Sequence, residues 1–290
     1  MTTQEIPRSA GPVSVPCVAC DAPPPAAPRF HKWGFPIDVC PRCGVGCTRV
    51  PAGFDPTRIY DRGYFTGGHR DGYADYPASE RVLRREFRRT LSTLEKHVRG
   101  GRLLEVGCAY GFFLDEARRD FEVEGLELAP DAVDACRARG LDVRSEPIGD
   151  GALEGRAPYD AAVMLDVVEH LADPAAALAA LHRALAPGGH LLLTTGDFGA
   201  PLARALGKSW RLLTPPQHLF FFTRDGLARL LAKSGFEIVA FDHPWKLVPL
   251  GLALFQLTRP LGVDLTRGFG SGVALPVNLF DAMQIVARRV

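Results

Sequence analysis

No stretch of this chain is long and apolar enough to cross a bilayer. The longest apolar run, Leu247 to Leu257, is broken by Pro249 and Gln256 and bounded by Lys246 and Arg259. That is well short of the ~20 residues a spanning helix needs. The segment Met1 to Val15 has no apolar centre of the kind that directs secretion. A charge excess is missing too: 34 Lys and Arg stand against 33 Asp and Glu, a net of +1. No global positive field recruits nucleic acid or anionic lipid. These absences place the protein in the cytoplasm, where cysteines stay reduced. With 47% hydrophobic and 23% charged residues, the 290-residue chain is neither wholly disordered nor fibrous. Its length suits one large domain, or an ordinary domain plus a small module.

The chain divides by composition. Residues 1–16 are polar and without periodicity, and read as a flexible tail. Residues 17–50 hold Cys17, Cys20, Cys40 and Cys43 and a Pro-rich loop, with too little apolar material for a core. A region this small needs a staple. Residues 51–78 are rich in Tyr, Gly and Asp, and their aromatics suit an ordered connector. From residue 79 strands and helices alternate. Ser79 is placed to cap a helix reaching about Val98. Strands are expected at Arg102–Val106, Glu122–Glu127, Leu141–Arg144, Tyr159–Leu165 and His190–Thr195. Helices fall at Phe112–Arg119 and Pro130–Arg139, from Asp173-Pro174 to Pro187-Gly188-Gly189, and from Thr223 to Gly235. This alternation implies an α/β fold, a parallel sheet with helices on both faces. The last two strands, Phe236–Asp242 and Asp281–Arg288, have no helical signature between them and suit an antiparallel pair at the edge. The long segment separating them, 243–277, reads as an insertion with the character of a lid or an apolar acceptor site.

Two CxxC pairs, Cys17-Val18-Ala19-Cys20 and Cys40-Pro41-Arg42-Cys43, can each give two thiolates to one tetrahedral zinc, and Gly44 permits the turn after the second. Four thiolates leave no position for water, so this zinc is structural. Cys47 is a spare thiol. Cys108 and Cys136 suit packed small residues.

The loop Glu105-Val106-Gly107-Cys108-Ala109-Tyr110-Gly111 lies between the first strand of the alternating region and a helix. Its glycines let the backbone turn sharply and approach a ligand. The next strand ends in Glu127, about 20 residues on, where a carboxylate can accept two hydrogen bonds from a ribose diol. The site therefore binds a nucleoside. A dinucleotide loop would be G-x-G-x-x-G; this one is G-x-x-x-G with acidic residues beside it, which favours a ligand carrying ammonium and sulfonium groups.

The loop, then Gly125-Leu126-Glu127-Leu128, Tyr159 to His170, and Leu185-Ala186-Pro187-Gly188-Gly189-His190-Leu191, together resemble class I S-adenosylmethionine-dependent methyltransferases over about residues 79–290. The resemblance implies a Rossmann-like seven-stranded sheet in the order 3-2-1-4-5-7-6, with the zinc ribbon at its N-terminal side. It implies that Glu105, Gly107 and Gly111 line the methionine side, with Cys108 and Ala109 completing the loop. Glu127 would hold the ribose, and Asp166 would border the cofactor pocket. Ala109 departs from the family, which has glycine there. Ser145–Asp150 is the candidate adenine region. Ribbon, Tyr-rich connector and core together resemble bacterial methyltransferases acting in sugar, cell-envelope glycan or secondary-metabolite pathways. By that analogy the acceptor is a hydroxyl of a small molecule or glycan intermediate.

Two histidines fall where such an acceptor would lie: His170, after Glu169, and His218, in a loop followed by Phe220-Phe221-Phe222. His218 is assigned as general base and His170 as the partner that positions the acceptor. An ordinary histidine titrates near neutrality, so an ascending limb near pH ~6–7 is expected. The arginines 81, 84, 85, 88 and 89 form either a solvated face or a phosphate contact. The alternatives are an rRNA base methyltransferase, disfavoured by the charge balance, and a cofactor-binding protein without catalysis.

Overall fold

The computed structural model describes residues 13–61, 63–65, 75–149, 151–156, 158–249 and 274–290. Most of the expected tail, Tyr73 and the middle of the 243–277 insertion lie outside the described residues. The chain first forms three short antiparallel strands, β1 (Phe30–Lys32), β2 (Phe35–Val39) and β3 (Gly46–Thr48). Val13 N–H donates to Val50 O at 3.0 Å and Ser14 Oγ to Asp38 at 2.6 Å, so the chain packs on this sheet before Cys17.

Helix α1 (Glu80–Leu94) follows. Ser79 does not cap it through its side chain: a 3-10 turn over Pro77–Ser79 precedes the helix, and the Ser79 hydroxyl donates back to Asp75 O at 3.1 Å. Then come β4 (Arg102–Val106), α2 (Phe112–Ala117), β5 (Glu122–Leu126), α3 (Pro130–Ala138), β6 (Asp142–Arg144) and β7 (Tyr159–Leu165). Helix α4 (Pro174–Ala184) starts where Asp173 accepts from Ala176 N–H at 2.9 Å, with Pro174 in the first turn. The expected Pro-Gly-Gly stop lies outside this helix. It falls inside β8 (Leu185–Gly196), which pairs irregularly with β7 between Tyr159 and Ala161. After α5 (Pro201–Leu206) come β9 (Phe220–Phe221), α6 (Arg224–Lys233), β10 (Phe236–Asp242), the pair β11 (Lys246–Pro249) and β12 (Ala274–Val277), and β13 (Ala282–Arg289). Among the described residues no helix is long and apolar enough to cross a membrane.

Seven strands form one sheet in the order β10-β13-β8-β7-β4-β5-β6. Counted from β4 along the chain, without the short β9, β11 and β12, this is 3-2-1-4-5-7-6. β13 runs antiparallel to both neighbours and the other pairings are parallel. Neighbouring residues of a strand face opposite layers. Leu104, Val106, Met164 and Leu191 pack with Leu178 and Leu181 of α4 and Leu227 and Leu230 of α6. Leu103, Ala161, Val163 and Leu192 pack with Leu94 of α1 and Leu114 of α2. The sheet's interior is thus dry on both faces, and its ligand crevice is left at the carboxyl ends of β4, β5 and β7. β9 is not part of this sheet. It pairs with β3, giving a second sheet in the order β1-β2-β3-β9.

Candidate active site and thiol cluster

At the end of β4 the chain turns back on β5: Gly107 N–H donates to Leu126 O at 2.7 Å and Cys108 N–H to the same oxygen at 3.1 Å. Two glycines make the turn possible. Gly107 has φ +73° and a Cβ there would lie 2.6 Å from Val167; Gly111 has φ +72° and would meet Leu141 at 2.4 Å. Ala109 sits between them at φ +45°, in the left-handed region that costs an L-residue ~1–2 kcal/mol.

Glu127 explains why this loop holds its shape. Its Oε2 accepts from Ala109 N–H at 2.7 Å, and its Oε1 from Leu128 and Ala129 N–H at 2.7 and 2.8 Å. A carboxylate offers about four acceptor positions. Three are taken, so one, on Oε2, remains for a ribose hydroxyl. The expected two ribose bonds become one unless an amide is displaced. Glu105 is buried with Oε2 unpartnered among the described residues, and burial raises its carboxyl well above the usual range. Asp166 directly follows β7 at φ +55°. Its Oδ1 accepts from the Thr194 hydroxyl at 2.9 Å and its Oδ2 from Lys246 Nζ at 3.3 Å. Burial would raise this carboxyl, but Lys246 and Thr194 hold it below its ordinary value.

A cavity of about 970 Å³ joins these groups to both histidines. Glu105, Gly107, Ala109, Glu127 and Asp166 border it, as do Glu146, Pro147, Ile148 and Gly149 of the candidate adenine stretch. Cys108 and Gly111 do not. Cys108 is buried, with its sulfur where a Cβ on Gly125 would fall, and Gly111 faces Leu141 and Cys136. Tyr60, Tyr64, Phe65 and Tyr76 of the connector form another part of the wall, packed on Tyr110 and Phe112. A cofactor with a ribose and a methionine moiety fits this end. The turn admits close backbone approach, Glu127 keeps one acceptor position, and the orphaned Glu105 oxygen awaits a donor.

At the other end the His170 and His218 rings stand 4.6 Å apart, nearly perpendicular. Each Nδ1 meets a carbonyl, Gln217 O at 3.0 Å for His170 and Leu212 O at 2.8 Å for His218. A carbonyl only accepts, so both Nδ1 carry hydrogen and both Nε2 keep a lone pair. Burial lowers His170 to about 4; burial and then His170 lower His218 to about 3. The expected limb near pH ~6–7 is therefore not a property of these rings, because an imidazolium would be desolvated here. Burial, reinforced by Asp166, pushes Glu169 up to about 8, so it is protonated at neutral pH. Ligand atoms of Glu169, His170 and His218 lie within 4.8 Å of one another, a spacing at which the three could surround a small cation.

Composition gave no signal for three further residues on this cavity: Lys246, Arg211 and Gln217. Arg211 is fixed by Asp281 at 3.0 Å, and Gln217 Nε2 donates to Tyr64 Oη at 2.9 Å. A lone lysine ahead of an apolar run was the available hint for the first. Two arginines of the α1 face are held by carboxylates: Arg84 meets Glu80, Asp115 and Glu116 at 2.6–3.0 Å, and Arg88 meets Glu116 at 3.0 Å.

The four N-terminal thiols converge. Cys17–Cys43 and Cys20–Cys40 sulfurs are 3.5 Å apart, and Cys20–Cys43 are 3.6 Å apart. A tetrahedral ion with Zn–S of about 2.3 Å sets sulfurs about 3.8 Å apart, so the cluster fits one zinc. Burial raises the Cys17 and Cys43 thiols, whereas for Cys40 the amides of Cys43 and Arg42 outweigh burial and bring it down to about 7, so a metal that takes all four as thiolates must displace protons.

A family model for a methyltransferase domain matches residues 79–240. The ubiquinone biosynthesis O-methyltransferase of Xylella fastidiosa (strain 9a5c) is 37% identical over 164 residues, 51% of this chain and 67% of that protein. The enzyme of that name from Xanthomonas oryzae pv. oryzae (strain PXO99A) is 37% identical over 103 residues, 33% of this chain and 43% of that protein. The chain thus spans between under half and two thirds of these relatives. Among solved structures, an Archaeoglobus fulgidus S-adenosylmethionine-dependent methyltransferase superposes with a TM-score of 0.52 at 14% identity, covering 72% of this chain and 94% of that one. A chain from the complex of the Haloferax volcanii Trm112 methyltransferase activator with a methyltransferase gives 0.51 at 16%, covering 72% and 92%. At such identities these two show the fold alone.

Proposed function

The chain belongs to the methyltransferase-domain family, and from that premise we propose that it methylates a hydroxyl of a small molecule, with His218 as the proton acceptor. One observation carries the reading: a single cavity runs from the Gly107–Glu127 turn to two histidines whose Nε2 atoms are free to accept. Relatives named O-methyltransferases support the choice of a hydroxyl. Glu127 holds the nucleoside end, and Glu105, Gly107 and Asp166 face the methionine end. Bound there, S-adenosylmethionine supplies an electrophilic methyl group. The protein's own work is to exclude water, orient the acceptor and take its proton at His218 Nε2, while His170 packs against that ring. His218 at about 3 is neutral throughout the working range but a weak base. Its contribution should fall near the low end of the ~10²–10⁴-fold usual for a general base. Asp166 offsets part of the charge that develops on the ring. The proposal includes one structural zinc on Cys17, Cys20, Cys40 and Cys43.

Screening phenols and catechols with methyl-labelled cofactor identifies an acceptor. His218→Ala should then lose turnover by about 10²-fold, with S-adenosylhomocysteine affinity within a few-fold of wild type. Normal turnover in both His218→Ala and His170→Ala would remove histidine from the chemistry. Intact cofactor binding with no methyl transfer to any acceptor class would favour a binding protein instead.

A further inference from the structure

We infer that the thiol-cluster module is a working part of the acceptor site: its strand β3, through Thr48, positions the peptide that carries His218. The inference rests on the reading of His218 as an acceptor-side residue. Thr48 is 3% exposed and ends β3. Its hydroxyl donates to His218 O at 2.8 Å, and its amide donates to Leu219 O at 2.8 Å. One residue of the module therefore clamps two consecutive carbonyls of the His218 segment. The core clamps the same segment from the other side. Leu219 N–H donates to Glu169 O at 2.9 Å, His218 N–H donates to Thr214 O at 2.9 Å, and His170 Nδ1 donates to Gln217 O at 3.0 Å. His218, His170 and Glu169 are thus tied to one short stretch of backbone, part of whose anchoring comes from outside the methyltransferase sheet.

The clamp leads back to the cysteines within a few residues. Cys40 N–H donates to Val45 O and Gly44 N–H to Cys40 O, both at 2.9 Å, closing the knuckle directly before β3. β3 then pairs Gly46 with Phe221 and Cys47 with Phe220. Gly46 has to be glycine, because a Cβ would sit 2.9 Å from the Phe221 ring. Thr223, which caps α6 through Gly226 N–H at 3.0 Å, donates its hydroxyl to Cys43 O at 2.8 Å. Gly226 allows Val45 to seat against the helix, since a Cβ there would meet Val45 at 2.1 Å. The knuckle is therefore wedged between the strand that follows His218 and the helix that follows that strand. A small module of this kind keeps its shape through its metal, so the geometry of His218 depends on the ion held by the four thiolates, although that ion lies outside the cavity. Thr48 is a positioning residue, acting through the His218 peptide.

The test uses the full chain with its metal, and it reads structure before activity. In Thr48→Val the hydroxyl is lost at nearly constant volume. Amides 217–221 should exchange about tenfold faster, the ¹⁵N imidazole signals of His218 and His170 should move, and S-adenosylhomocysteine affinity should stay within about twofold. Thr48→Ser should restore both signals. Metal removal with 1,10-phenanthroline should reproduce the Thr48→Val changes, and zinc re-addition should reverse them. The inference is overturned if the chelated protein, with cofactor affinity intact, keeps wild-type protection at 217–221 and unshifted histidine signals. If Thr48→Val fails to fold, chelation and Thr48→Ser decide the matter by the same two signals. Failure of the metal-loaded wild type to bind S-adenosylhomocysteine is a separate result, which strikes the proposed function and not the coupling.

Discussion

Replacing Glu127 by alanine should damage the fold and the cofactor site by separable amounts. In the protein the carboxylate accepts from Ala109, Leu128 and Ala129 amides at 2.7–2.8 Å. Ala109 and Ala129 are buried, at 6% and 0% exposure. An amide left without a partner costs ~1–3 kcal/mol when buried. The adjoining cavity lets water reach part of the site, so the loss of folding stability should be about 2–4 kcal/mol. For a chain of this size that lowers the melting temperature by about 5–15 °C. The effect on ligand affinity is different in origin. One acceptor position is left for ribose, and a hydrogen bond to a charged group contributes about 1.5–3 kcal/mol. S-adenosylhomocysteine should therefore bind about 10- to 150-fold more weakly by titration calorimetry. Glu127→Gln should fall between, because its amide oxygen can still accept from Leu128 and Ala129 while its NH₂ opposes Ala109 N–H. Calorimetry showing unchanged affinity in Glu127→Ala would refute the ribose assignment. A melting temperature equal to wild type would refute the anchoring of the three amides.

Gly107→Ala should lower both melting temperature and S-adenosylhomocysteine affinity, since its Cβ would lie 2.6 Å from Val167 at φ +73°; wild-type values in both assays would show that the turn has room. The pH dependence of thermal stability has two limbs. Glu169, raised from 4.5 to about 8, binds its proton more tightly in the folded state, so its contribution is full below pH 4.5 and is lost as pH rises to about 8. His170 and His218, lowered from 6.5 to about 4 and 3, cost stability as pH falls from 6.5 toward those values. The two ranges overlap between pH 4.5 and 6.5, where two histidines outweigh one carboxyl, so melting temperature should peak near pH ~6.5, and Glu169→Gln should flatten the alkaline limb; an unchanged alkaline limb in that variant would assign it to another group. Metal analysis should return one zinc per chain, falling in Cys40→Ser while the methyltransferase core stays folded; carefully purified wild type with no zinc would sink the structural-ion proposal.

Features that depend on neighbours along the chain were legible in the amino-acid order. Apolar runs and glycine punctuation marked the strands of the main sheet, and Gly107 and Gly111 marked a turn that side chains would obstruct. The spacing of the CxxC pairs marked a cluster whose sulfurs do converge. The order of elements was enough, with the family resemblance, to fix the strand order. Tertiary structure decided what depends on groups brought from far away. The near-neutral titration expected of His218 gave way to a value of about 3, because a ring's pKa follows the water removed by packing, which spacing does not encode. Glu127 read as a free ribose ligand, but three amides of two separate loops already occupy it. The pairing of β3 with β9 joins residues about 170 positions apart through a strand of only two residues, too short to carry a periodic signal. That contact, and with it the union of the cysteine module and the histidines, is made in three dimensions, where Gly46 and Cys47 pair with Phe221 and Phe220.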